Sequence, residues 1–189
     1  MRSTPEPFTI VLCTCNGERH LEAQLRSLRR QEGVAEIVVA DDGSTDATMA
    51  ILAAQAAADG RMRVERNARR LGVAANFWRA LGRARSPWVA LSDQDDVWVG
   101  DKLARIRSAW DGKSVLVHHA SRKFRGDGEP PELRPERAGE RRKFSGTDLR
   151  RLLHRNSVVG HTIVCRADLP RRLPAPPAGV PHDWWLGVG

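Results

Sequence analysis

The sequence predicts an α/β fold in which a mainly parallel central sheet is flanked by helices. Two observations carry this prediction: short, largely apolar strand patterns alternate with helical patterns through residue 119, and acidic sequences follow two of the strands. Alternation of this kind is typical of βαβ units, which place parallel strands side by side under covering helices. A chain of 189 residues is long enough to bury a substantial core as a single domain.

The elements of the first part of the chain follow from this alternation. The predicted strands cover residues 8–13, 37–40, 62–64, 88–92 and 115–117. The second of them is wholly apolar, which favours an inner position in a parallel sheet. The predicted helices cover the stretch with Leu21, Leu25 and Leu28 at i, i+4 and i+7, then residues 44 or 45 to 58, 75–84 and about 101–110. Ser44 or Thr45 is expected to cap the second helix, with Asp46 near its positive end.

The remainder of the chain begins with a stretch rich in proline, glycine and charge. Residues 120–145 show almost no apolar periodicity, so a long mobile loop is predicted there. Order is expected to resume with a short helix that includes residues 149–153 and a strand near residues 162–165. The proline-rich residues 173–181 favour an extended chain.

Charge and cysteine content restrict the classes of function. The net charge of +8 and pI near 10.6 suit nucleic acid, anionic lipid or a phosphorylated ligand. No zinc-finger spacing, aromatic-rich sheet motif or tyrosine accompanies the basic residues, so specific nucleic-acid binding is not expected. Three cysteines give no disulfide framework. Without an apolar run of about 20 residues or a signal peptide, the expectation is a cytoplasmic protein, which its charge could bring to an anionic membrane.

The most informative motif is Asp93-Gln94-Asp95-Asp96, which places three carboxylates in four positions after a predicted strand. Like charges this close raise one another's pKa values. Such a cluster typically holds a cation, and hard oxygen ligands suit Mg²⁺ or Mn²⁺. The alternative is a polar loop whose Asp101 caps the next helix.

A second acidic sequence, Asp41-Asp42-Gly43-Ser44, follows the strand at residues 37–40. The carboxyl ends of parallel strands meet at one crevice, where ligands bind in open α/β sheets. Both acidic loops are therefore expected to face one cavity. Alone, this second sequence is also a common turn and capping sequence.

Five motifs occur in order along the chain: Cys13-Thr14-Cys15-Asn16-Gly17-Glu18, Asp41 to Asp46, Leu71-Gly72-Val73 with Asn76, Leu91 to Trp98, and His182-Asp183-Trp184-Trp185. In this order they resemble the landmarks of family 2 glycosyltransferases, and the closest branch is the bacterial rhamnosyltransferase-like one. The resemblance runs from about residue 8 to the last residue, with a weak stretch at 122–144. It implies a GT-A (nucleotide-diphospho-sugar transferase) fold, a nucleotide-diphosphate-sugar donor, a divalent metal and inversion at the anomeric carbon.

The resemblance also implies roles for single residues. The donor-binding residues would be Thr14, Asn16, Glu18, Asp42, Asn76 and Asp93. Among them Asp42 would meet the base. Asp95 would be the direct metal ligand within the Asp-x-Asp motif, Asp93 would belong to the ribose and metal shell, and Asp96 is expected to orient the loop.

Further roles follow for the end of the chain. Asp183 would be the base that takes the proton of the acceptor hydroxyl. The acceptor side would include Gly160, His161, Thr162, Trp184 and Trp185. For the tryptophans we expect packing for one and acceptor contact for the other. A structural role is the favoured alternative for His161 and His182.

Together these implications describe a metal-dependent, inverting glycosyltransferase using Mg²⁺ or Mn²⁺. The donor would be dTDP-rhamnose or a UDP-sugar, with rhamnose favoured, and the acceptor a saccharide or lipid-linked precursor of cell-surface polysaccharide. The single domain, 1–189, would comprise a nucleotide-sugar-binding part (8–119), the loop (120–145) and a partial acceptor-side part (146–189).

Two departures from the family pattern qualify this expectation. Cys15 stands where the family usually has tyrosine, and the chain ends six residues after Asp183, where the family normally continues with another strand and a histidine-bearing segment. The resemblance therefore also allows a truncated remnant that binds a nucleotide sugar without transferring it.

Overall fold

One mixed sheet of six strands forms the centre of the molecule in a computed structural model that describes residues 6–124, 146, 148, 150 and 158–188. The strands are β1 (Phe8–Thr14), β2 (Val34–Asp41), β3 (Met62–Arg66), β4 (Trp88–Ser92), β5 (Leu116–His118) and β6 (Ile163–Arg166). Their order is β3-β2-β1-β4-β6-β5. β1 pairs in parallel with β2 and β4, and β2 with β3, while β6 runs antiparallel to both β4 and β5. The predicted α/β fold with a mainly parallel sheet is confirmed.

Six helices in the described ranges cover the sheet. They are α1 (Glu18–Arg29), α2 (Thr48–Ala58), α3 (Val73–Leu81), α4 (Lys102–Ala109), α5 (Leu169–Arg172) and α6 (His182–Val188). A turn of 3₁₀ helix, Gly160–Thr162, precedes β6. Within the described ranges, no helix combines the length and the apolar character that crossing a bilayer requires.

The central strand β1 divides the core into two layers. All seven of its residues are buried, as expected for an inner parallel strand covered on both faces. Ile10 and Leu12 join the layer of α1 and α4, whereas Val11 joins the layer of α3 and α6. Successive side chains of a strand point to opposite faces, so one apolar run supplies both layers.

The predicted stripe of α1 is confirmed, since Leu21, Leu25 and Leu28 are all fully buried against the sheet. The predicted cap of α4 is present in position only. Asp101 is the N-cap residue of α4, but its carboxylate pairs with Arg105 at 2.7 Å and makes no capping hydrogen bond.

The start of α2 also differs from the prediction. The helix begins at Thr48, later than the predicted caps Ser44 and Thr45 allow. The Ser44 hydroxyl is not free to cap a helix, because it hydrogen-bonds the Asp41 carboxylate and accepts a hydrogen bond from the Asn16 N–H at 2.9 Å.

The predictions for the later part of the chain are tested only in part. The predicted loop from residue 125 to 145 and the predicted helix at residues 149–153, apart from Arg150, lie outside the described residues. The strand predicted near residues 162–165 is present as β6.

Replacing Leu25 by alanine is expected to destabilise the fold by about 2–5 kcal/mol, because it leaves a cavity between α1 and the sheet. Urea unfolding followed by circular dichroism measures this change. The matched control is Arg26→Ala, since Arg26 is the exposed neighbour on the same helix and its replacement should change stability by no more than about 0.5 kcal/mol. Equal effects of the two variants would contradict the packing of α1.

Candidate active site

Loops from several elements meet at the carboxyl edge of the parallel strands. Strand register sets this meeting: Thr14 pairs with Asp41, and Leu12 pairs with Ser92. β1, β2 and β4 therefore end side by side. Because β6 is antiparallel, the turn Gly160–Thr162 enters the sheet at the same edge.

In the acidic loop after β2, the Asp41 carboxylate receives its hydrogen bonds from nearby groups of the same chain. The fully buried Asp41 carboxylate accepts hydrogen bonds from the Thr14 hydroxyl at 3.1 Å and from the N–H groups of Gly43 at 3.1 Å and Ser44 at 2.9 Å. Gly43 has φ +83°, a left-handed conformation that glycine adopts without strain. Asp41 thus shapes the turn rather than facing a ligand.

Asp42 joins this turn to the loop that precedes α3. Its Oδ1 accepts from the Leu71 N–H at 2.7 Å and from the Asn67 amide at 2.8 Å, and its Oδ2 accepts from the Gly72 N–H at 2.8 Å. Burial acts to raise the pKa of Asp42, but these hydrogen bonds outweigh it and hold the pKa below its usual value. The predicted contact between Asp42 and a nucleotide base stays a prediction.

Asn76 lies beneath the same junction. It is buried, its amide nitrogen donates to the Ala40 carbonyl at 2.8 Å, and its amide oxygen accepts from Asn67 at 2.8 Å. In this structure Asn76 supports the Asp42 loop from below. Its direct contact with a donor stays a prediction.

The loop after β1 is joined side by side to the β2 loop. Asn16 adopts φ 51°, a left-handed conformation that asparagine tolerates better than most residues, and its side-chain oxygen accepts from the Thr45 N–H at 2.8 Å. Glu18 accepts from the Ala47 N–H at 2.8 Å. With the buried Thr14, these predicted donor-binding residues form one continuous wall.

Gln94 ties the acidic loop after β4 to the β1 loop. Its Oε1 accepts from the Cys15 N–H at 2.8 Å, and its Nε2 donates to the Cys15 carbonyl at 3.2 Å. Gln24 of α1 supports the same loop by donating to the Asp93 carbonyl at 3.0 Å. Sequence reasoning missed Gln94, although an amide in the single uncharged position of the cluster was a signal for a hydrogen-bonding role.

The structure brings Asp93, Asp96 and His161 into one group. One ligand atom from each lies within 4.8 Å of the others. His161 Nδ1 is 3.5 Å from an oxygen of Asp93 and 3.6 Å from one of Asp96. Asp95 is exposed and lies outside this group. Its assignment as the direct metal ligand stays a prediction.

The protonation of this group reflects its crowding. Burial, together with repulsion from Asp93 and Asp95, raises the pKa of Asp96. The interaction with Asp93, helped by the charge of Asp96, raises the pKa of His161 despite burial. Asp96 Oδ2 is buried without a hydrogen-bond donor among the described residues. This oxygen, the carboxylate of Asp93 and the imidazole of His161 together suit a divalent cation, which would replace the proton on the imidazole.

Lys102, the first residue of α4, lies behind this group. Its Nζ donates to the His161 carbonyl at 3.1 Å and is 3.4 Å from the centroid of the Trp98 ring. Burial lowers the pKa of Lys102 to about 7, although the charges of Asp96 and Asp93 act in the opposite direction. Sequence analysis gave this residue no role.

Asp183 reaches the site from the first turn of α6. Its Oδ2 accepts from the Gly160 N–H at 3.1 Å, and its Oδ1 accepts from the Trp184 N–H at 2.7 Å. The half-buried carboxylate is thereby held beside the turn that carries His161. The predicted base and the acidic cluster therefore belong to one site.

The neighbours of Asp183 mainly support it. The buried His182 ring stacks on Phe77 with centroids 4.2 Å apart, and burial lowers the pKa of His182. Trp185 anchors α6 by donating to the Pro174 carbonyl at 2.8 Å. The Thr162 hydroxyl donates to the Val159 carbonyl at 2.6 Å. The predicted acceptor contacts of Thr162, Trp184 and Trp185 stay predictions.

The sheet order, with acidic loops at the carboxyl edge, agrees with the GT-A fold that the sequence motifs predicted. Comparison with known families agrees, because the model of Glycosyl transferase family 2 matches residues 9–170. The chain belongs to this family.

Curated relatives extend the comparison. An uncharacterized Mycobacterium tuberculosis protein, Rv1520, is 30% identical over 187 residues, covering 96% of this chain and 53% of the relative. The succinoglycan biosynthesis protein ExoO of Rhizobium meliloti is 36% identical over 110 residues, covering 58% of this chain and 31% of ExoO. The chain spans about half the length of Rv1520 and a smaller part of ExoO.

Solved structures show the same fold at low identity. Staphylococcus aureus TarS 1-349 in complex with UDP-GlcNAc superposes with a TM-score of 0.68 at 23% identity, covering 88% of this chain and 47% of that one. The mannosyltransferase PcManGT of Pyrobaculum calidifontis, in complex with GDP-Man and Mn²⁺, superposes with a TM-score of 0.69 at 20% identity, covering 96% of this chain and 50% of that one. These likenesses establish the fold.

Replacing Gly17 by alanine is expected to separate the acidic loop from the β1 loop, because the added Cβ would lie 2.5 Å from Gln94 Oε1. The displaced amide would leave the Cys15 peptide group unpaired, at a cost of about 1–3 kcal/mol in unfolding free energy. Gln94→Leu should give a loss of similar size, and urea unfolding measures both. Gly60→Ala is the control, since its Cβ would meet nothing within 4 Å. A Gly17→Ala variant as stable as this control would contradict the link.

Proposed function

We propose that this chain carries the donor-binding and catalytic residues of a metal-dependent, inverting glycosyltransferase. It would transfer a sugar from a nucleotide-diphosphate donor to a saccharide or lipid-linked acceptor in the synthesis of cell-surface polysaccharide. The observation that carries the proposal is a single site at the carboxyl edge of the sheet. This site contains the group of Asp93, Asp96 and His161. It also contains the carboxylate of Asp183, which is hydrogen-bonded to Gly160 in the turn that carries His161.

The comparisons support the substrate class. The family is one of glycosyltransferases, ExoO is named for succinoglycan biosynthesis, and the structural neighbours hold UDP-GlcNAc or GDP-Man. Rhamnose as the sugar, with dTDP-rhamnose as its donor, rests on the sequence motifs alone, and a UDP-sugar is the alternative donor. The net charge of +8 supports association with an anionic membrane surface, where a lipid-linked acceptor would lie, and we propose that this surface is the inner face of the cytoplasmic membrane.

Asp93, Asp96 and His161 would hold Mg²⁺ or Mn²⁺. When bound, the metal supplies Lewis-acid stabilisation of the negative charge on a departing diphosphate. Mn²⁺ in the PcManGT complex supports the choice of a divalent ion. The donor set agrees with this choice, since carboxylate oxygens and an imidazole suit such ions.

The chain's own residues would orient the reactants. The joined β1 and β2 loops would form a preorganised surface for the nucleotide, so these loops would lose little conformational entropy on binding. Hydrogen bonds from Gly160 and Trp184 fix both oxygens of Asp183. An acceptor hydroxyl beside this carboxylate would give up its proton while attacking the anomeric carbon from the face opposite the diphosphate. That direction of attack inverts the configuration.

Replacing Asp96 by asparagine is expected to weaken Mn²⁺ binding in the presence of UDP by at least about tenfold, because a ligand of the proposed set is lost. Asp95→Asn should have the smaller effect, since Asp95 lies outside the group; the family resemblance predicts the reverse order. Calorimetry measures both affinities. Asp101→Asn is the control, because this exposed carboxylate pairs with Arg105 away from the cluster. Unchanged binding in both test variants would refute the metal site.

Replacing Asp183 by asparagine is expected to leave donor binding intact and to reduce transfer by about 10²-fold or more, because only the proton acceptor is lost. Calorimetry with the nucleotide sugar and release of nucleoside diphosphate from dTDP-rhamnose or UDP-sugars separate the two effects. Asp168→Asn is the control, since Asp168 pairs with Arg172 on α5.

Retained turnover in Asp183→Asn would remove its role as the base. If the unmodified chain binds the donor but transfers no sugar, the alternative of a nucleotide-sugar-binding protein without transferase activity replaces the proposal.

A further inference from the structure

Lys102 is an unusual residue for the interior of a site. Its side chain is 7% exposed, although lysine is seldom buried without a partner. The ammonium nitrogen lies between the Trp98 ring, 3.4 Å away, and the His161 carbonyl, 3.1 Å away. The ring and the carbonyl together replace part of the hydration that burial removes.

The hydrogen bond of Lys102 reaches a turn that no strand ladder includes. The ladder between β4 and β6 ends at the pair Ala90 and Val164, and that between β5 and β6 ends at His118 and Ile163. The turn that carries His161 therefore lies beside β4 but outside both ladders. A donor from α4 to the His161 carbonyl fixes this turn against the helix that follows the acidic loop.

We propose that Lys102 is a positioning residue that clamps the turn Gly160–Thr162 to α4, so that the His161 imidazole faces Asp93 and Asp96. The clamp acts through the His161 backbone and touches no ligand atom of the group. This inference rests on the proposed function for its consequence in metal binding, but the clamp itself is a property of the folded chain.

The clamp also has a consequence for Asp183. Because Gly160 donates to the Asp183 carboxylate from the same turn, displacement of the turn would move the partner of the proposed base together with the imidazole. The Lys102 side chain would thus hold both the His161 imidazole and the hydrogen-bond partner of Asp183 in position. A residue with this role should affect the site more than the stability of the whole fold.

The first measurement is hydrogen exchange of the turn. Lys102→Met keeps the unbranched stem beside Trp98 and removes the donor, so the amides of residues 160–163 should exchange about tenfold faster, as loss of a fixing contact permits local opening. Lys102→Gln restores a donor and should restore part of the protection. The control is Lys113→Met, since Lys113 is exposed on another loop. Unchanged exchange in Lys102→Met would overturn the clamp.

The second measurement is a double-mutant cycle on Mn²⁺ affinity in the presence of UDP. Lys102→Met should weaken binding by about tenfold, the lower end for lost outer contacts of a metal site. In a His161→Ala background the same change should weaken it by less than about twofold, because residues acting through one another are not additive. Equal losses in the two backgrounds would show that Lys102 acts independently of His161 and would overturn its action through that residue.

The two measurements also separate this inference from the proposed function. If the unmodified chain with UDP binds no Mn²⁺, the metal site of the proposed function fails, while hydrogen exchange still decides the clamp. Thermal unfolding of Lys102→Met identifies a general loss of stability. In that case the test is the comparison of Lys102→Gln with Lys102→Met: slower exchange of residues 160–163 in the variant that keeps a donor supports the clamp, and equal exchange overturns it.

Discussion

The parallel pairing of β1 with β2 on one side and β4 on the other is the constraint on which the rest of the structure depends. It brings the ends of three strands to one edge, with Thr14 opposite Asp41 and Leu12 opposite Ser92. A slip of one residue would turn every side chain of a strand to the opposite layer. Because side chains of different sizes are closely packed in both layers, such a slip would disrupt the core, and the loops that follow these strands emerge at fixed positions.

The two acidic sequences at this edge of the sheet have different roles. The carboxylates of Asp41 and Asp42 accept hydrogen bonds from nearby backbone and side-chain groups, which shape the loops around them. Asp93 and Asp96 instead face an imidazole, and a buried oxygen of Asp96 receives no hydrogen bond from the described residues. The same residue type therefore stabilises one loop and leaves unmet binding capacity in the other.

The sequence alone predicted the parts of the fold that depend on local periodicity. The leucine stripe of α1 was predictable because the burial of a surface helix repeats at about 3.6 residues. The strands β1 and β2 were predictable because strands covered on both faces form continuous apolar runs. The bond between Gln94 and Cys15 was not, because the partners are 79 residues apart and neither pattern specifies the other. The cap of α2 was misjudged because Ser44 is already hydrogen-bonded to Asp41 and Asn16.

The residues of the candidate site also differ in how far the sequence predicts their positions. Residues of the β1, β2 and β4 loops share βαβ topology, so their meeting follows from strand direction. His161 and Asp183 arrive through an antiparallel strand and a later helix, and they reach the acidic loop only when β6 pairs with β4. Adjacent acids such as Asp95 and Asp96 cannot be told apart until that pairing places one, partly buried, beside His161 and leaves the other exposed. The distinction is therefore a property of the closed fold, and it depends on the contacts that hold the Gly160–Thr162 turn in place.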